Sequence, residues 1–146
     1  MKTIVIYYSF GGATRKEAEK RAGEFDAVVC EVKEAKERSL LGSFFPGCLS
    51  AMRRKASKIN PIGYDLKEFD RIMIGAPIWA EFPAPAFNAV VDMLPEGKDV
   101  DLFFCSGGGR EPKSEQGTKD LIASKGCRLV SYTDIKTNAS PSKEKR

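Results

Sequence analysis

The fold is decided by residues 4–14, which run Ile4-Val5-Ile6-Tyr7-Tyr8 and then Ser9-Phe10-Gly11-Gly12-Ala13-Thr14. The apolar run is continuous rather than alternating, which is typical of a parallel strand covered by helices on both faces. After the glycine turn, residues 14–22 place Ala18 and Ala22 on one helical face, small enough to pack closely on a sheet. The chain therefore opens with a strand, a tight turn and a helix.

Further strands and helices alternate along the chain. Strand-like runs recur at residues 27–30, 72–74, 102–105 and, more polar and suited to a sheet edge, 129–132. One intervening helix is indicated by a proline in the first turn and apolar residues at helical spacing, namely Pro85, Phe87, Val90, Val91 and Leu94. Another is expected to start with Ser114 as its cap, to carry Leu121 and Ile122, and to stop at Lys125-Gly126. This order predicts an α/β fold with a doubly wound five-stranded parallel sheet, whose ligands bind at the carboxyl ends of the strands.

Length and composition indicate an ordinary globular chain. Its 146 residues suit a single domain spanning residues 1–146, and its 42% hydrophobic and 30% charged residues are typical of a soluble globule. No apolar run approaches the ~18 residues of a membrane helix, and Met1-Lys2 leads into a strand rather than a signal peptide. We therefore expect a cytoplasmic protein that does not enter a membrane.

The charged and titratable residues exclude some kinds of catalysis but do not identify a ligand. A net charge of +4 attracts anions without naming one. The one basic cluster, Arg53, Arg54, Lys55 and Lys58, is interpreted as a solvated face, with a nucleic-acid surface as the disfavoured alternative. The chain has no histidine, so the usual general base and the Ser-His and Cys-His pairs are excluded. Any redox or transfer chemistry is expected from a bound cofactor.

The cysteines give no sign of a metal site. Cys30, Cys48, Cys105 and Cys127 form no C-x-x-C pair, so neither a zinc site nor a thioredoxin motif is predicted. Three of them lie in or beside strand candidates and are interpreted as buried thiols.

Two segments depart from the alternation of strands and helices. Between residues 33 and 64 a broken amphipathic helix is predicted to cover one sheet face, with a mobile flap over a ligand as the alternative; its apolar residues are Leu40, Leu41, Phe44, Phe45, Leu49 and Met52. The polar tail from Asn138 to Arg146 begins a helix at Ser140-Pro141 and then ends. Most of the last helix is therefore expected to be missing. The sheet beneath it would be exposed, would be covered by a second subunit, or would belong to a shortened version of a longer protein.

Three loops leave the predicted carboxyl edge of the sheet. In Ser9-Phe10-Gly11-Gly12-Ala13-Thr14, converging backbone N–H groups, two hydroxyls and a helix N-terminus offer donors to a phosphate. The loop from Gly75 to Pro83 carries the only tryptophan, Trp79, which can stack on a flat ring. Cys105-Ser106-Gly107-Gly108-Gly109-Arg110 lets the backbone approach such a ring. Each alone has a structural alternative, but together they predict a site for a mononucleotide with a planar ring.

On these residues the chain resembles the flavodoxin family over nearly its whole length. The motifs are Tyr8-Ser9-Phe10-Gly11-Gly12-Ala13-Thr14, then Ile74-Gly75-Ala76-Pro77-Ile78-Trp79 with Pro83-Ala84-Pro85, and Ser106-Gly107-Gly108-Gly109. The resemblance implies strand order 2-1-3-4-5, FMN phosphate on the first loop and the isoalloxazine between the second and third. It assigns FMN contacts to Ser9, Phe10, Gly11, Gly12, Ala13, Thr14, Pro77, Ile78, Trp79, Ser106, Gly107, Gly108, Gly109 and Arg110, with no metal and no catalytic side chain.

The phosphate loop departs from the family pattern S/T-x-T-G-N-T. Gly11 stands in place of the threonine and Ala13 in place of the asparagine, so two side-chain donors are missing. Each hydrogen bond to a charged group contributes about 1.5–3 kcal/mol, so we expect FMN to bind more weakly by one or more decades unless backbone N–H groups compensate.

The second motif is most similar to that of FMN proteins that include NAD(P)H-dependent reductases. Electron-carrier members of the family are acidic, whereas this chain is basic, and Arg110 is the candidate for a cation near the flavin, with an arginine that points to solvent as the alternative. We therefore expect electron transfer from NAD(P)H or a redox protein to a quinone or similar small acceptor. The alternative is a non-catalytic module that binds a protein partner without FMN. A signalling receiver domain is disfavoured because Tyr8-Ser9 and Gly75-Ala76 stand where it needs acids.

Overall fold

The computed structural model describes residues 1–35, 53–109 and 112–137, with Pro112 through its backbone alone. In chain order its elements are β1 (Thr3–Tyr7), α1 (Ala13–Phe25), β2 (Val28–Glu31), a 3₁₀ turn (Leu66–Glu68), β3 (Arg71–Trp79), β4 (Phe82–Pro83), α2 (Pro85–Asp92), β5 (Asp99–Ser106), α3 (Pro112–Ser124) and β6 (Arg128–Lys136). The predicted broken helix, Cys48, Arg110 and the tail from Asn138 lie outside the described residues.

The sheet has the predicted doubly wound architecture. Its strands are ordered β2-β1-β3-β5-β6, and all four neighbouring pairs are parallel. With the two-residue β4 left aside, this is the order 2-1-3-4-5 that the family resemblance implies. The polar strand β6 lies at the sheet edge, as predicted. None of the described helices has the length and apolar composition that a membrane crossing requires.

The two faces of the sheet are covered differently. Helices α2 and α3 bury apolar side chains, among them Phe87 and Ile122, on one face. On the other face α1 buries Ala18 against β1, β3 and β5, as the small-residue pattern of α1 predicts. This second face also carries a polar contact, in which Arg71 of β3 donates to the buried Asp101 of β5 at 2.6 and 2.9 Å. A buried ion pair therefore forms part of this second face.

Helix α3 begins earlier than predicted. Its first residue is Pro112, so Ser114 lies inside the first turn and is not the N-cap. Proline is favoured at the first helical position because its fixed φ suits a helix and its missing N–H is not needed there. The carbonyl of Ser114 instead accepts a hydrogen bond from the Thr118 hydroxyl at 2.8 Å. The predicted end is confirmed, with Gly126 in the left-handed region after Ser124.

Three of the cysteines are buried thiols, as predicted. Cys30, Cys105 and Cys127 are all free and buried. The thiol of Cys127 donates to the carbonyl of Pro95 at 3.1 Å, and burial raises the pKa of the Cys30 thiol. These thiols are therefore part of the core.

Most of the second predicted loop, from Gly75 to Pro83, forms the end of β3 and its hairpin with β4. β3 continues to Trp79, five residues beyond the predicted end of its apolar run, and turns into β4 through Ala80 and Glu81. The backbone φ values of 49° at Ala80 and 72° at Glu81 are those of a type I′ turn, the two-residue hairpin turn that favours Asn and Gly. Two residues with a Cβ therefore occupy a conformation that costs each of them about 1–2 kcal/mol.

Replacing Glu81 by glycine is expected to stabilise the fold. Glu81→Gly removes the steric cost of positive φ but adds chain entropy to the unfolded state, so the net gain is about 0.5–1 kcal/mol over Glu81→Gln. Glu81→Gln is the matched control, because both variants lose the exposed ion pair with Lys113. Urea unfolding of the two variants measures the difference, and equal midpoints would contradict the expectation.

Candidate functional site

The register of the sheet brings the three predicted loops to one edge. Tyr7 of β1 pairs with Gly75 of β3, and Pro77 of β3 pairs with Cys105 of β5. Since these strands are parallel, the chain leaves the sheet after β1, β3 and β5 on the same side. The edge thus carries the first loop, the β3–β4 hairpin and the glycine loop next to one another.

The first loop opens the N-terminus of α1. Gly12 is the N-cap residue with φ 114°, a conformation that residues with a Cβ rarely adopt, and no side chain caps the helix. The amide of Gly12 donates to the Ser9 hydroxyl oxygen at 2.9 Å, and its carbonyl accepts from the Lys16 amide. The first amides of a helix have no partner within the helix. This N-terminus therefore presents donors at the edge of the sheet.

The charges around this N-terminus suit an anion. The first turn of α1 contains no acidic residue. Arg15 donates to Glu31 at 2.6 Å, and this hydrogen bond raises the pKa of the Arg15 guanidinium. Burial, and secondarily the charge of Glu31, raise the pKa of the Tyr7 phenol, which therefore stays neutral at physiological pH. The helix dipole adds positive potential where the first loop ends.

Three aromatic side chains, Tyr8, Phe10 and Trp79, connect the first loop with the hairpin. The Trp79 ring lies nearly perpendicular to the rings of Tyr8 and Phe10, at centroid distances of 5.9 and 5.4 Å. Trp79 is 0% exposed and belongs to the buried core, so no face of its ring is accessible in this structure. Phe10 is only half-buried and is the ring of this group most accessible to a ligand. The Tyr8 hydroxyl donates to Glu34 at 2.8 Å, a contact that no sequence signal indicated.

The glycine loop is closed at its base by Ser106. The Ser106 hydroxyl donates to the Gly109 carbonyl at 2.8 Å, and the Thr137 amide donates to the Ser106 carbonyl at 2.8 Å. Gly107 and Gly108 remain exposed, and a Cβ placed on Gly108 would meet nothing within 4 Å. The loop therefore offers accessible backbone with open space beside it.

The four residues of the predicted basic cluster differ in how exposed they are. Arg53, Lys55 and Lys58 are exposed, as expected of a solvated face, whereas Arg54 is half-buried. The Arg54 guanidinium lies 5.1 Å from the ring centre of Phe82 in β4, and burial lowers its pKa. The sequence placed Arg54 with its neighbours on a solvated face, because the residues that it contacts are distant in the chain.

Within residues 1–35, 53–109 and 112–137, no three or more acidic or cysteine side chains are grouped so that they could hold a metal ion. The site is therefore described by its hydrogen-bond donors, its aromatic rings and its accessible backbone.

Known structures share this architecture. No family model and no curated protein matches the chain. It is similar to a flavoprotein of Lactobacillus acidophilus NCFM in complex with FMN, with TM-score 0.75 and 24% identity over 90% of this chain and 91% of that one. The apo-form of the flavoprotein from the same organism gives TM-score 0.66 and 25% identity over 91% and 92%. A flavodoxin, WrbA-like protein of Agrobacterium tumefaciens gives TM-score 0.62 and 16% identity over 98% and 88%.

Proposed function

We propose that this chain, which has the flavodoxin-like fold, binds FMN at the carboxyl edge of its sheet and works as an electron-transferring flavoprotein. The observation that carries the proposal is the uncapped N-terminus of α1, free of acidic residues, at the same sheet edge as the exposed glycine loop. The similar flavoprotein in complex with FMN supports the choice of ligand.

The first loop fits the phosphate of FMN. A dianion at the N-terminus of α1 would accept hydrogen bonds from the first-turn amides and gain from the helix dipole. The Ser9 oxygen already accepts from the Gly12 amide, and its own O–H remains available to donate. Backbone donors would thus replace the two side chains that Gly11 and Ala13 lack.

The rest of the edge fits a planar ring. Exposed Gly107 and Gly108 let the backbone approach the ring plane, and half-buried Phe10 offers an aromatic surface on the other side of the edge. Trp79 would support Phe10 from beneath rather than touch the ligand. These residues would orient the ring and exclude water from its inner side.

When bound, FMN would supply the redox chemistry, accepting two electrons from a nicotinamide and passing them to a quinone or similar acceptor. The basic composition favours this reductase role over that of an acidic electron carrier, since the chain carries +4 and Arg54 lies beside the hairpin. Its own residues would attract and position the anionic reactants.

Titration with FMN tests the proposal directly. Because Trp79 is the only tryptophan and lies 5.4 Å from Phe10, bound FMN is expected to quench most of its fluorescence. Riboflavin, which lacks the phosphate, is the matched control and should bind about 100-fold more weakly if two phosphate hydrogen bonds are lost. Folded protein that leaves FMN free in solution would contradict the proposal and favour the protein-binding module. Stopped-flow mixing of the holoprotein with NADH and NADPH then tests the reductase role, which fails if neither bleaches the flavin.

A further inference from the structure

Arg54 connects two elements beside the candidate site, helix α3 and the β3–β4 hairpin. Its Nη1 donates to the Thr118 hydroxyl oxygen at 3.0 Å, and its Nη2 donates to the Ser114 carbonyl at 3.0 Å, both in α3. The same guanidinium lies 5.1 Å from the ring centre of Phe82, in the hairpin after β3. One side chain thus touches the helix that follows the glycine loop and the hairpin that follows the second motif.

Helix α3 has space for this side chain because of one glycine. A Cβ built on Gly117 would lie 2.9 Å from Nη2 of Arg54, closer than such atoms approach in proteins. Glycine in a helix interior is less favourable than alanine. Because Gly117 has no side chain, the Arg54 guanidinium can lie against the helix backbone, and the helix loses some intrinsic stability in exchange.

The segment that carries Arg54 is itself fixed. The Ser57 amide donates to the Pro85 carbonyl at 3.3 Å, and the Asn88 side-chain amide donates to the Lys55 carbonyl at 3.3 Å, so helix α2 holds both residues. In the part of the chain that the structure describes, no carboxylate lies within salt-bridge distance of Arg54. Its oriented N–H donors bond to neutral oxygens, and its charge is not used in an ion pair there.

From these contacts we infer that Arg54 is a positioning residue that holds the β3–β4 hairpin and the start of α3 at a fixed separation, which sets the spacing between the hairpin and the glycine loop at the proposed FMN site. The inference rests on the proposed FMN binding. A lysine would not replace it, because a single ammonium group cannot direct two donors to α3 and stack on Phe82 at once.

Two variants test this role, one by removing the guanidinium and one by filling the space beside the helix that it occupies. Arg54→Gln removes the guanidinium, whereas Gly117→Ala keeps it and displaces it from the helix. Each is expected to raise the Kd for FMN at least tenfold and to change the visible circular dichroism of the bound flavin. Gly117→Ala should leave the midpoint of thermal unfolding nearly unchanged, because the helix propensity that alanine adds offsets the hydrogen bonds that Arg54 loses. Arg54→Lys should not restore affinity, and Arg53→Gln, at the exposed neighbour, should leave it unchanged.

The outcomes separate this role from the proposed function. If the wild-type protein does not bind FMN, the proposed function fails. If it binds FMN and both Arg54→Gln and Gly117→Ala bind equally well, the positioning role fails alone. Amide hydrogen exchange of the apoprotein gives a readout without flavin: exchange at Phe82 and Thr118 should accelerate in Arg54→Gln and not in Arg53→Gln. Equal exchange in the two variants would also overturn the role of Arg54.

Discussion

Asp101→Asn is expected to lower the free energy of unfolding by about 3–5 kcal/mol, the usual cost of leaving one buried ion-pair partner uncompensated. Asp101 is 1% exposed and accepts hydrogen bonds from Arg71 Nε at 2.6 Å, from Arg71 Nη2 at 2.9 Å and from the Ser131 hydroxyl at 2.6 Å. An asparagine would point an N–H₂ group at one of these three donors.

The large loss of stability expected for Asp101→Asn reflects the position of this hydrogen-bond network in the sheet. Arg71, Asp101 and Ser131 come from three adjacent strands, β3, β5 and β6, on the face that α1 covers only in part. Arg71 also lies 4.8 Å from the ring centre of Phe25 at the end of α1. Loss of the carboxylate would therefore weaken the sheet and the packing of α1 together. Urea unfolding followed by far-ultraviolet circular dichroism measures the change.

A matched control lies two residues away on the same strand. Asp99 accepts two hydrogen bonds from Arg128, both at 3.1 Å, and this contact lowers the pKa of the Asp99 carboxyl. The pair has the same chemistry but is exposed, with 74% of the Arg128 side chain accessible. Asp99→Asn should therefore leave the urea midpoint almost unchanged, because water screens surface pairs. Equal losses in the two variants would show that burial does not decide the effect.

The parts of the fold that were predictable from the sequence depend on local patterns. The continuous apolar run from Ile4 to Tyr8 predicts the buried strand β1, and the helical spacing of Ala18 and Ala22 predicts the side of α1 that faces the sheet. The position of the three loops at one edge follows from the parallel strand order. The position of most of the candidate site could therefore be predicted from the sequence alone.

The rest depends on contacts between distant residues. Gly75 to Pro77 has the composition of a loop, but pairing with β5 extends β3 through it. Trp79 is buried by Tyr8 and Phe10, which no spacing rule relates to it. The contacts of Arg54 with Thr118 span 64 positions. Such features depend on which strands become neighbours and in which register, and neither is encoded in a local pattern.

Ala13→Asp is expected to raise the Kd for FMN at least 100-fold while leaving the protein folded. Ala13 is the first residue of α1, at the N-terminus where the phosphate is proposed to bind. Two unit charges about 4 Å apart repel by about 4 kcal/mol at an effective dielectric constant of 20, and each 1.4 kcal/mol is a tenfold change in Kd. The same carboxylate favours the helix dipole and should stabilise α1 by about 0.3–1 kcal/mol.

The control for this prediction is Ala13→Asn, which has nearly the same shape but no charge and restores the donor that the family pattern has at this position. Its Kd for FMN should equal or fall below that of the wild type. Opposite effects of the two variants on affinity, with thermal midpoints no lower than that of the wild type, would locate the phosphate at α1. If the Kd is the same in both variants, the anion does not bind at this helix, whatever the protein does with FMN elsewhere. Riboflavin separates the cases further, because a ligand without phosphate should bind Ala13→Asp and Ala13→Asn alike.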